Sequence, residues 1–405
     1  MALSVAAAAA AWRAARAAAG CADLVDGERV PITAAAGRVT AAAVHAAISV
    51  PAVACAAMDG IAVTAACTAS RVVGADRFTV VDTGDPLPPG ADAVVVREHL
   101  RRRPDGSVHL REPARAGQHV RQVGESVRAG DRLAAAGRVL RPADLAAAAA
   151  GGVSAVDVRR RPVVTIIPTG DEVRPIGAAL APGELHDTNS LLLVAMLQEF
   201  GCDVVVTAIQ PDDPGMIEDA VRAAAADLVL VLAGSSAGRD DHTSHVLRAV
   251  GTVVVQGVAV RPGHPVLLGI RHGDPAVPVI GVPGYPISAA VAVDLFAIPL
   301  LAEMQHREVS RRPPVTARLR TDVPSRPGVE EYVLVTLHDD GSAEPLGRGA
   351  GAHTALAQAD AAFHLDAGCA GYEAGDVVIA HLLDGPGWAA GSSTRCRHNE
   401  HLTAV

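Results

Sequence analysis

The stretch VVTIIPTGDE, residues 163–172, decides the fold of this chain. Its first five residues are apolar or β-branched, a composition typical of a buried strand. The strand pattern stops at Thr169, where a glycine lies among three polar side chains. Open α/β sheets bind ligands beyond the carboxyl ends of their strands, so this junction predicts a binding site at the end of a buried strand.

The residues that follow, up to 288, alternate between strand and helix patterns. Residues 186–190, His-Asp-Thr-Asn-Ser, precede an apolar run that stops at Gly201, which predicts a capped helix. Further strands are predicted over 204–209, 228–232, 253–260 and 277–282, with helices over 216–226 and 243–250 and a long apolar helix after Ser288. Polar turns follow at least four strands. Because the strand-end loops of a parallel sheet lie on one edge, we predict a single site there, in an α/β domain spanning 161–308.

Composition restricts the class of protein. The 405 residues exceed one ordinary core, so several domains are expected, and the net charge of −9 argues against a general nucleic-acid binder. The six cysteines form no C-x-x-C pair, which favours a reduced, cytoplasmic protein without a zinc finger. The alanine-rich N-terminus contains Arg13 and Arg16 and is predicted to be a surface helix rather than a signal peptide. No run of about 20 strongly hydrophobic residues predicts a membrane span.

The regions on either side of the α/β domain follow different patterns. Residues 1–48 and 122–160 contain alanine-rich segments and are predicted to form one helical linking domain. Residues 49–121 show short strand patterns between Gly/Pro turns, which predicts a small β domain inserted into it. Residues 309–384 show alternating strand patterns and predict a C-terminal β domain. The remainder, 385–405, is predicted to be a disordered tail.

Eight short motifs carry a resemblance to a known family. They include AAMDGIAV at 56–63, TGDPLPPGADAVVVRE at 83–98, RPGHP at 261–265 and GVPGYPIS at 281–288, and the others lie at 117–126, 168–189, 233–241 and 345–361. With these motifs in this order, the chain resembles the molybdopterin molybdenumtransferase family (MoeA and the E domain of gephyrin) from about residue 5 to 384. Each motif alone is weak, but eight in the same order are specific.

The resemblance implies both a fold and an activity. The implied fold has a central three-layer α/β domain of the MogA/MoaB type, an inserted small β domain, a helical N-terminal scaffold and a C-terminal β-barrel-like domain. The implied enzyme takes adenylylated molybdopterin and molybdate as substrates, uses Mg²⁺ and releases AMP. It also implies a cytoplasmic homodimer, with the site between the central domain of one subunit and the β domains of the other. A molybdopterin adenylyltransferase is a further possible partner; no nucleic acid or membrane is expected.

The chemistry of these substrates leads to expectations for individual residues. Mg²⁺ prefers hard oxygen ligands, for which Asp59, Glu172, Asp187 and Asp241 are candidates. Molybdate is an oxyanion that needs cations or hydrogen-bond donors, for which Arg261, His264, Ser288 and Arg348 are candidates. Asp59, Glu172, Asp241 and Arg261 are expected to be catalytic. The residues expected to bind the pterin nucleotide or molybdate are Thr83, Thr169, Gly170, Asp171, Asp187, Asn189, Gly234, Ser235, Ser236, Gly238, His264, Pro283, Gly284, Ser288 and Arg348.

Several motif positions depart from the family pattern. Ile61 replaces an aromatic residue, Ser126 replaces an acid, and Ala233 replaces the first of two glycines. Arg261 and His264 replace two lysines, and Tyr285 replaces an asparagine. Arginine keeps the positive charge but not the shape of lysine, and histidine is charged only part of the time near neutral pH.

Two hypotheses therefore remain open. The protein is either a divergent enzyme with an altered oxyanion or nucleotide preference, or a non-catalytic paralogue that binds molybdopterin and regulates or scaffolds cofactor delivery. The four retained acids favour the enzyme, whereas the replaced lysines, Ser126 and Tyr285 favour the paralogue.

Overall fold

The computed structural model describes residues 2–232, 242–309, 312–347 and 353–383. The chain divides into two compact units, one formed by Gly27–Arg159 and the other by Met1–Asp26 together with Arg160–Val405. The N-terminal helix, Val5–Ala18, was predicted from the sequence and belongs to the second unit. The finer division into four domains stays a prediction.

The strand Val163–Pro168 lies inside a six-stranded sheet, as the opening motif predicts. The order of the strands across the sheet is Asp203–Val206, Val163–Pro168, Leu228–Leu232, Val277–Val282, Leu267–Arg271 and Gly251–Gln256. The first four are parallel, whereas Leu267–Arg271 runs antiparallel to both of its neighbours.

Two details of the predicted strands are wrong. The strand Leu267–Arg271 was missed, so the sheet is mixed rather than wholly parallel. The strand predicted over 253–260 ends at Gln256 because Gly257, with φ of +78°, turns the chain. Val260–Arg261 is a separate short strand.

Helices cover both faces of the sheet. One face packs against Val5–Ala18, Thr188–Phe200 and the long helix, and the other against Pro214–Ala223 and His242–Val250. Side chains alternate between the two cores along each strand; Leu230, for example, faces the first core and Val231 the second. This alternation confirms the predicted three-layer domain.

The long helix, Pro286–Gln305, is a core element. It consists of Pro286–Ala292, a π-helical turn at Val293–Ala297 and Ile298–Gln305. Among the described residues it is the one helix long and apolar enough to cross a membrane, but 83% of its most apolar window is buried inside the protein. Its hydrophobicity is therefore accounted for by the core.

The C-terminal region is a closed five-stranded barrel. Its strands follow one another around the barrel in the order Glu330–Leu337, Ser342–Pro345, Pro314–Leu319, Val377–Leu382 and Ala361–Leu365, and the last pairs again with the first. Val260–Arg261 adds to the edge of Glu330–Leu337, and smaller elements are the pair Val323–Pro324 with Gly371–Tyr372 and the helix His353–Gln358. The predicted barrel-like domain is confirmed. The predicted tail, 385–405, lies outside the described residues.

The unit Gly27–Arg159 is built mainly from short strands. Thr79–Val81, Gly60–Val63 and Ala93–Val96 form one three-stranded sheet, and Val72–Val73, Val108–Leu110 and Leu100–Arg102 form another. The remaining elements are the pairs Gly27–Pro31 with Ala155–Arg159, Val44–His45 with Arg132–Ala134 and Cys55–Ala56 with Val120–Arg121, the helix Pro142–Ala150, and 3₁₀ turns at Ile32–Ala34, Ala65–Thr68 and Arg97–His99. This unit thus contains less helix than its alanine content suggests, because strand pairing overrides a weak local preference.

Candidate active site

The turn after Val163–Pro168 is held by hydrogen bonds to the end of one neighbouring strand and to the loop after the other. The Thr169 hydroxyl donates to the Leu232 carbonyl oxygen at 2.8 Å, and the Gly170 N–H donates to the Gln210 carbonyl oxygen at 3.1 Å. Gly170 has a φ of +135°, and a Cβ there would lie 2.6 Å from Cγ2 of Val173. The turn therefore requires glycine. Because Thr169 is buried and its hydroxyl is engaged, its role in the structure is to shape this turn.

Two acids of neighbouring loops brace each other at this turn. The Asp171 N–H donates to the Asp212 carboxylate at 3.3 Å, and the Asp212 N–H donates to the Asp171 carboxylate at 3.2 Å. Sequence reasoning missed Asp212, although it lies in a Pro-Asp-Asp turn between a strand and a helix, which was a usable signal. Glu172, by contrast, has an exposed carboxylate with no hydrogen bond from any described residue.

Asp187 begins the helix Thr188–Phe200, as the capping pattern predicts. Its Oδ1 accepts a hydrogen bond from the Ser190 N–H at 2.9 Å, and Gly201 ends the helix in a left-handed conformation. Asp187 follows the short strand Leu185–His186, which pairs in parallel with Val173–Arg174. Continued by one residue at each end, this register offsets Glu172 and Asp187 by three residues along the strand direction. At the usual rise of a strand, the offset between their backbones is roughly 10 Å.

The four predicted metal ligands are thus not assembled within the described residues. No group of three or more His, Cys, Asp or Glu is arranged to hold a metal ion in 2–232, 242–309, 312–347 and 353–383. Asp59 lies in the other compact unit, and Asp241 lies outside the described residues. The metal assignment stays a prediction.

Substitutions at Asp187 separate its role as a helix cap from a function that needs its carboxylate charge. We expect Asp187→Ala to lower the free energy of unfolding by about 1 kcal/mol because the helix loses its cap. Asp187→Asn keeps a capping oxygen and should retain stability, while a function that needs the carboxylate charge would still be lost. Urea unfolding of the three proteins measures the first effect; equal midpoints for wild type and Asp187→Ala would contradict the cap.

A groove of about 880 Å³ lies beside this turn. We call it the strand-end groove; its apolar lining is Val173, Ile176, Leu191, Val194, Val206 and Ile209, and its polar lining includes Asp171, Arg174, Asp187 and Ser190. The Ser190 hydroxyl and the Asn189 side-chain oxygen are buried and have no hydrogen-bond partner among the described residues. Of these two residues Ser190 lines the groove, so its unsatisfied hydroxyl points to a ligand with a polar group there.

A second cavity, of about 720 Å³, brings together the predicted oxyanion-binding residues. We call it the Arg261 cavity; it is lined by Arg261, His264, Tyr285 and Ser288. The barrel strand Glu330–Leu337 also lines the cavity, through Glu331 and Tyr332. It lies next to Arg261 because Arg261 is the register partner of Glu331. The Asn189 side-chain amide donates to the Gly284 carbonyl oxygen at 2.7 Å and links the loops of the two cavities. The structure thus has two concavities near these strand ends, and the prediction of a single site stays a prediction.

The long helix presents its N-terminus to the Arg261 cavity. Tyr285 is its N-cap, and Pro286 has no N–H; the first N–H bonded within the helix, that of Ala289, donates to the Tyr285 carbonyl oxygen at 2.8 Å. The N–H groups of Ile287 and Ser288 therefore have no acceptor within the helix, and both residues line the cavity. An N-terminus of this kind binds anions.

The barrel contributes residues to this cavity that sequence reasoning missed. Ser325, Arg326, Glu331 and Tyr332 line it. The Ser325 hydroxyl is buried and has no hydrogen-bond partner among the described residues, and Arg326 adds a second cation. The local sequence around Ser325 and Arg326 reads as an ordinary polar turn, so no local signal identified them.

The motif around Asp59 forms a second local arrangement, within the unit Gly27–Arg159. The Thr83 N–H and hydroxyl both donate to Asp59 Oδ1 at 2.8 Å, and these hydrogen bonds lower the pKa of Asp59 below its ordinary value. Asp59 is therefore ionised at neutral pH. Two positions in this unit differ from the family motifs. Ile61 is buried in the core of the sheet, and Ser126 is exposed.

The remaining predicted site residues fall into two groups. Gly234, Ser235, Ser236, Gly238, Asp241 and Arg348 lie outside the described residues, as does the replaced position Ala233. Pro283 is buried at the end of the strand Val277–Val282, and Gly284 is exposed beside it. Their binding roles stay predictions.

Comparisons with known proteins agree with this architecture. Three family models match in order: the MoeA N-terminal region (domain I and II) at residues 3–152, a probable molybdopterin binding domain at 165–303, and the MoeA C-terminal region (domain IV) at 316–383. A Mycobacterium tuberculosis protein named molybdopterin molybdenumtransferase 2 is 32% identical over 80% of this chain and 87% of its own length. A Haemophilus influenzae molybdopterin molybdenumtransferase is 30% identical, and the match spans 59% of each chain.

A solved structure agrees over almost the whole chain. The crystal structure of a molybdopterin biosynthesis MoeA protein from Pyrococcus horikoshii superposes with a TM-score of 0.82 at 27% identity, covering 95% of this chain and 100% of that one. The fold and these matches define a multidomain enzyme of molybdenum cofactor biosynthesis. The chain belongs to the molybdopterin molybdenumtransferase (MoeA) family.

Proposed function

We propose that this protein inserts molybdenum from molybdate into adenylylated molybdopterin, in a Mg²⁺-dependent reaction that releases AMP. The observation that carries the proposal is the convergence of Arg261, His264 and Ser288 on the N-terminus of the long helix in one cavity. An arginine, an imidazole, a hydroxyl and N–H groups that have no acceptor within the helix are donors suited to a tetrahedral oxyanion. These residues would hold and orient molybdate.

The strand-end groove is the proposed site of the pterin nucleotide. Its apolar walls suit a planar ring system, and the unsatisfied hydroxyl of Ser190 belongs to its lining. The hydrogen bond from Asn189 to Gly284 ties this groove to the loop that begins the Arg261 cavity. The two substrates would thus lie side by side, which lowers the entropic cost of bringing them together.

The chemistry of the available acids fits Mg²⁺. The exposed Glu172 carboxylate, without a hydrogen bond from a described residue, is the proposed ligand in the central domain, together with Asp241. Asp59 is retained as a proposed ligand because Thr83 keeps it ionised. When bound, Mg²⁺ supplies positive charge that neutralises the phosphates of the adenylate. Glu172 then positions this charge, while Arg261 holds the oxyanion.

The assembly proposed for the protein is a cytoplasmic homodimer that receives its substrate from a molybdopterin adenylyltransferase. The support for this part is family membership. Light scattering after size-exclusion chromatography checks the dimer, and a monomer at micromolar concentration would contradict it.

A product assay tests the proposed reaction. Purified protein receives adenylylated molybdopterin with and without Mg²⁺ and molybdate, and AMP is measured by chromatography. We expect AMP release that needs both ions and that Glu172→Gln lowers by about 100-fold, the scale on which losing one electrostatic contact to a developing charge slows a reaction. Glu199→Gln, at an exposed position on the helix Thr188–Phe200, is the matched control. Tight binding of the pterin nucleotide without AMP release would instead support the non-catalytic paralogue.

A further inference from the structure

The start of the chain binds at the junction between the central domain and the barrel. Leu3 forms a parallel bridge with Val258, and the Ala259 N–H donates to the Leu3 carbonyl oxygen at 2.8 Å. Two residues further on, the Val5 N–H donates to Oε1 of Glu330 on the barrel at 3.2 Å. The first residues of the chain therefore contact both sides of this junction.

We propose that Glu330 is a positioning residue of the Arg261 cavity. By holding the N-terminal segment, residues 3–5, it fixes the first residues of the barrel strand Glu330–Leu337 against the strand that carries Arg261. The inference rests on the proposed function, because the Arg261 cavity is the proposed site of molybdate. It adds to that function a residue that is not among the described lining residues and that acts through its neighbours.

Three hydrogen bonds form a closed ring at this junction. The Leu3 carbonyl oxygen accepts from the Ala259 N–H, the Ala259 carbonyl oxygen accepts from the Glu330 N–H at 2.9 Å, and the Glu330 side chain accepts from the Val5 N–H. Next to this ring, Val260–Arg261 pairs in parallel with the first two residues of the barrel strand. Because Glu330 contributes both its backbone and its side chain, it ties the barrel strand to the other two segments at once.

Glu330 also caps the N-terminal helix, Val5–Ala18, from a distant part of the chain. The N–H of Val5, the first residue of the helix, has no acceptor within the helix, and the first turn contains no acidic residue. A carboxylate at this end interacts favourably with the helix dipole. The same helix is fixed to the central sheet by Trp12, whose Nε1–H donates to the Gly269 carbonyl oxygen at 2.9 Å in a buried contact. Through this helix, Glu330 links the barrel to the central sheet.

The second carboxylate oxygen of Glu330 is held from the barrel side. It lies 3.2 Å from Nε2 of His364, and the hydrogen bond from this ring is the main reason why the pKa of Glu330 lies below its ordinary value. The His364 ring packs against Tyr332, with ring centroids 4.8 Å apart, and Tyr332 lines the Arg261 cavity. Glu330 is therefore ionised at neutral pH, and both of its carboxylate oxygens are engaged.

The register of the barrel strand connects this anchor to the cavity. Glu331 and Tyr332 follow Glu330 directly, both line the cavity, and Glu331 is the register partner of Arg261. Release of the first residue of a strand lets the next residues move, and a misplacement of about 1 Å at a functional group can cost about 100-fold in rate. The backbone pairing of the two strands would remain in a Glu330 variant, so we expect the cavity to loosen while the fold is retained.

Molybdate binding and AMP release by the full chain test the inference. Glu330→Ala should raise the dissociation constant of molybdate, measured by isothermal titration calorimetry, and KM for molybdate by about tenfold, because a positioning contact that is lost equally in ground and transition states leaves kcat within about twofold. A general loss of folded protein would lower kcat instead. Glu330→Gln keeps an oxygen that accepts from the Val5 N–H and should stay within about threefold of the wild type.

Val5→Pro tests the same hydrogen bond from its donor side. Proline removes the N–H but suits the first position of a helix, and Ser4 before it is already extended, so the helix should be retained. This variant should raise the dissociation constant of molybdate several-fold, whereas Val5→Ala keeps the N–H and should bind like the wild type. Because Val5→Pro and Glu330→Ala remove the same contact, the double variant should bind no more weakly than Glu330→Ala alone.

Hydrogen exchange follows the junction without molybdate. The amides of Ala259 and Glu330 should exchange faster in Glu330→Ala, whereas Glu344→Ala, on the neighbouring barrel strand Ser342–Pro345, should change neither exchange nor binding. Wild-type exchange, wild-type dissociation constants in Glu330→Ala and Val5→Pro, or full additivity in the double variant overturns the inference and leaves the oxyanion site intact. A wild type that binds no molybdate, with exchange still accelerated in Glu330→Ala, overturns the proposed oxyanion site and with it the role of Glu330 in positioning that site.

Discussion

Gly60→Ala is expected to destabilise the unit Gly27–Arg159 by about 3 kcal/mol or more. Gly60 lies in the middle strand of a three-stranded sheet and pairs with Val81 on one side and Val96 on the other. A Cβ at this position would overlap the Val95 carbonyl oxygen and lie 2.9 Å from its carbonyl carbon. Backbone atoms cannot rotate away as a side chain can, so the strand Ala93–Val96 would have to separate from its neighbour.

Thermal unfolding and hydrogen exchange of the full chain measure this effect. Exchange should accelerate at residues 60–63 and 93–96 because the ladder between them opens. Gly27→Ala is the matched control, since it lies in a strand of the same unit and its new Cβ would meet other atoms only at 3.8 Å. A Gly60→Ala protein with wild-type unfolding and exchange would show that the sheet tolerates the methyl group.

The tight packing at Gly60 also explains why glycine follows aspartate in the motif. Asp59 precedes Gly60 directly, and its carboxylate depends on Thr83 at the end of the neighbouring strand Thr79–Val81. Displacement of the middle strand would therefore also weaken these two hydrogen bonds. We interpret the glycine as a requirement of the sheet that holds the aspartate in place.

Arg261→Ala is expected to lower kcat/KM for molybdate in the AMP-release assay by about 100-fold. The reason is the loss of a charged donor from a cavity in which Arg326, on the barrel side, is the other arginine among the described lining residues. A hydrogen bond to a charged group contributes about 1.5–3 kcal/mol, and 100-fold corresponds to about 2.7 kcal/mol. Because Arg261 lies on the surface of the cavity, the fold should be retained.

Two further variants make this result specific. Arg261→Lys keeps the positive charge and should remain within about tenfold of the wild type, since it loses only the planar fork of donors. Arg320→Ala removes an exposed arginine that contacts Ser342 and Asp340 on the barrel, and should leave the assay unchanged. Wild-type kcat/KM in Arg261→Ala would remove this residue from the oxyanion site.

The local sequence determined the elements of the central domain. β-branched and apolar runs identified the strands Val163–Pro168, Leu228–Leu232 and Val277–Val282, and the Asp187 cap with Gly201 located both ends of the helix between them. These signals are local, because a cap, a turn or a buried strand depends on residues within a few positions of one another. The ordered motifs also identified the family.

Only the tertiary structure decided how the site is assembled. The antiparallel strand Leu267–Arg271, the pairing of Arg261 with Glu331, and the barrel wall formed by Ser325 and Arg326 all join residues that are distant along the chain. Local propensity does not encode such pairings, because they depend on which surfaces the folded elements bury together. The tertiary structure also decides the position of the His264 ring. Its Nδ1 lies 2.6 Å from the Val258 carbonyl oxygen, which the turn at Gly257 brings close.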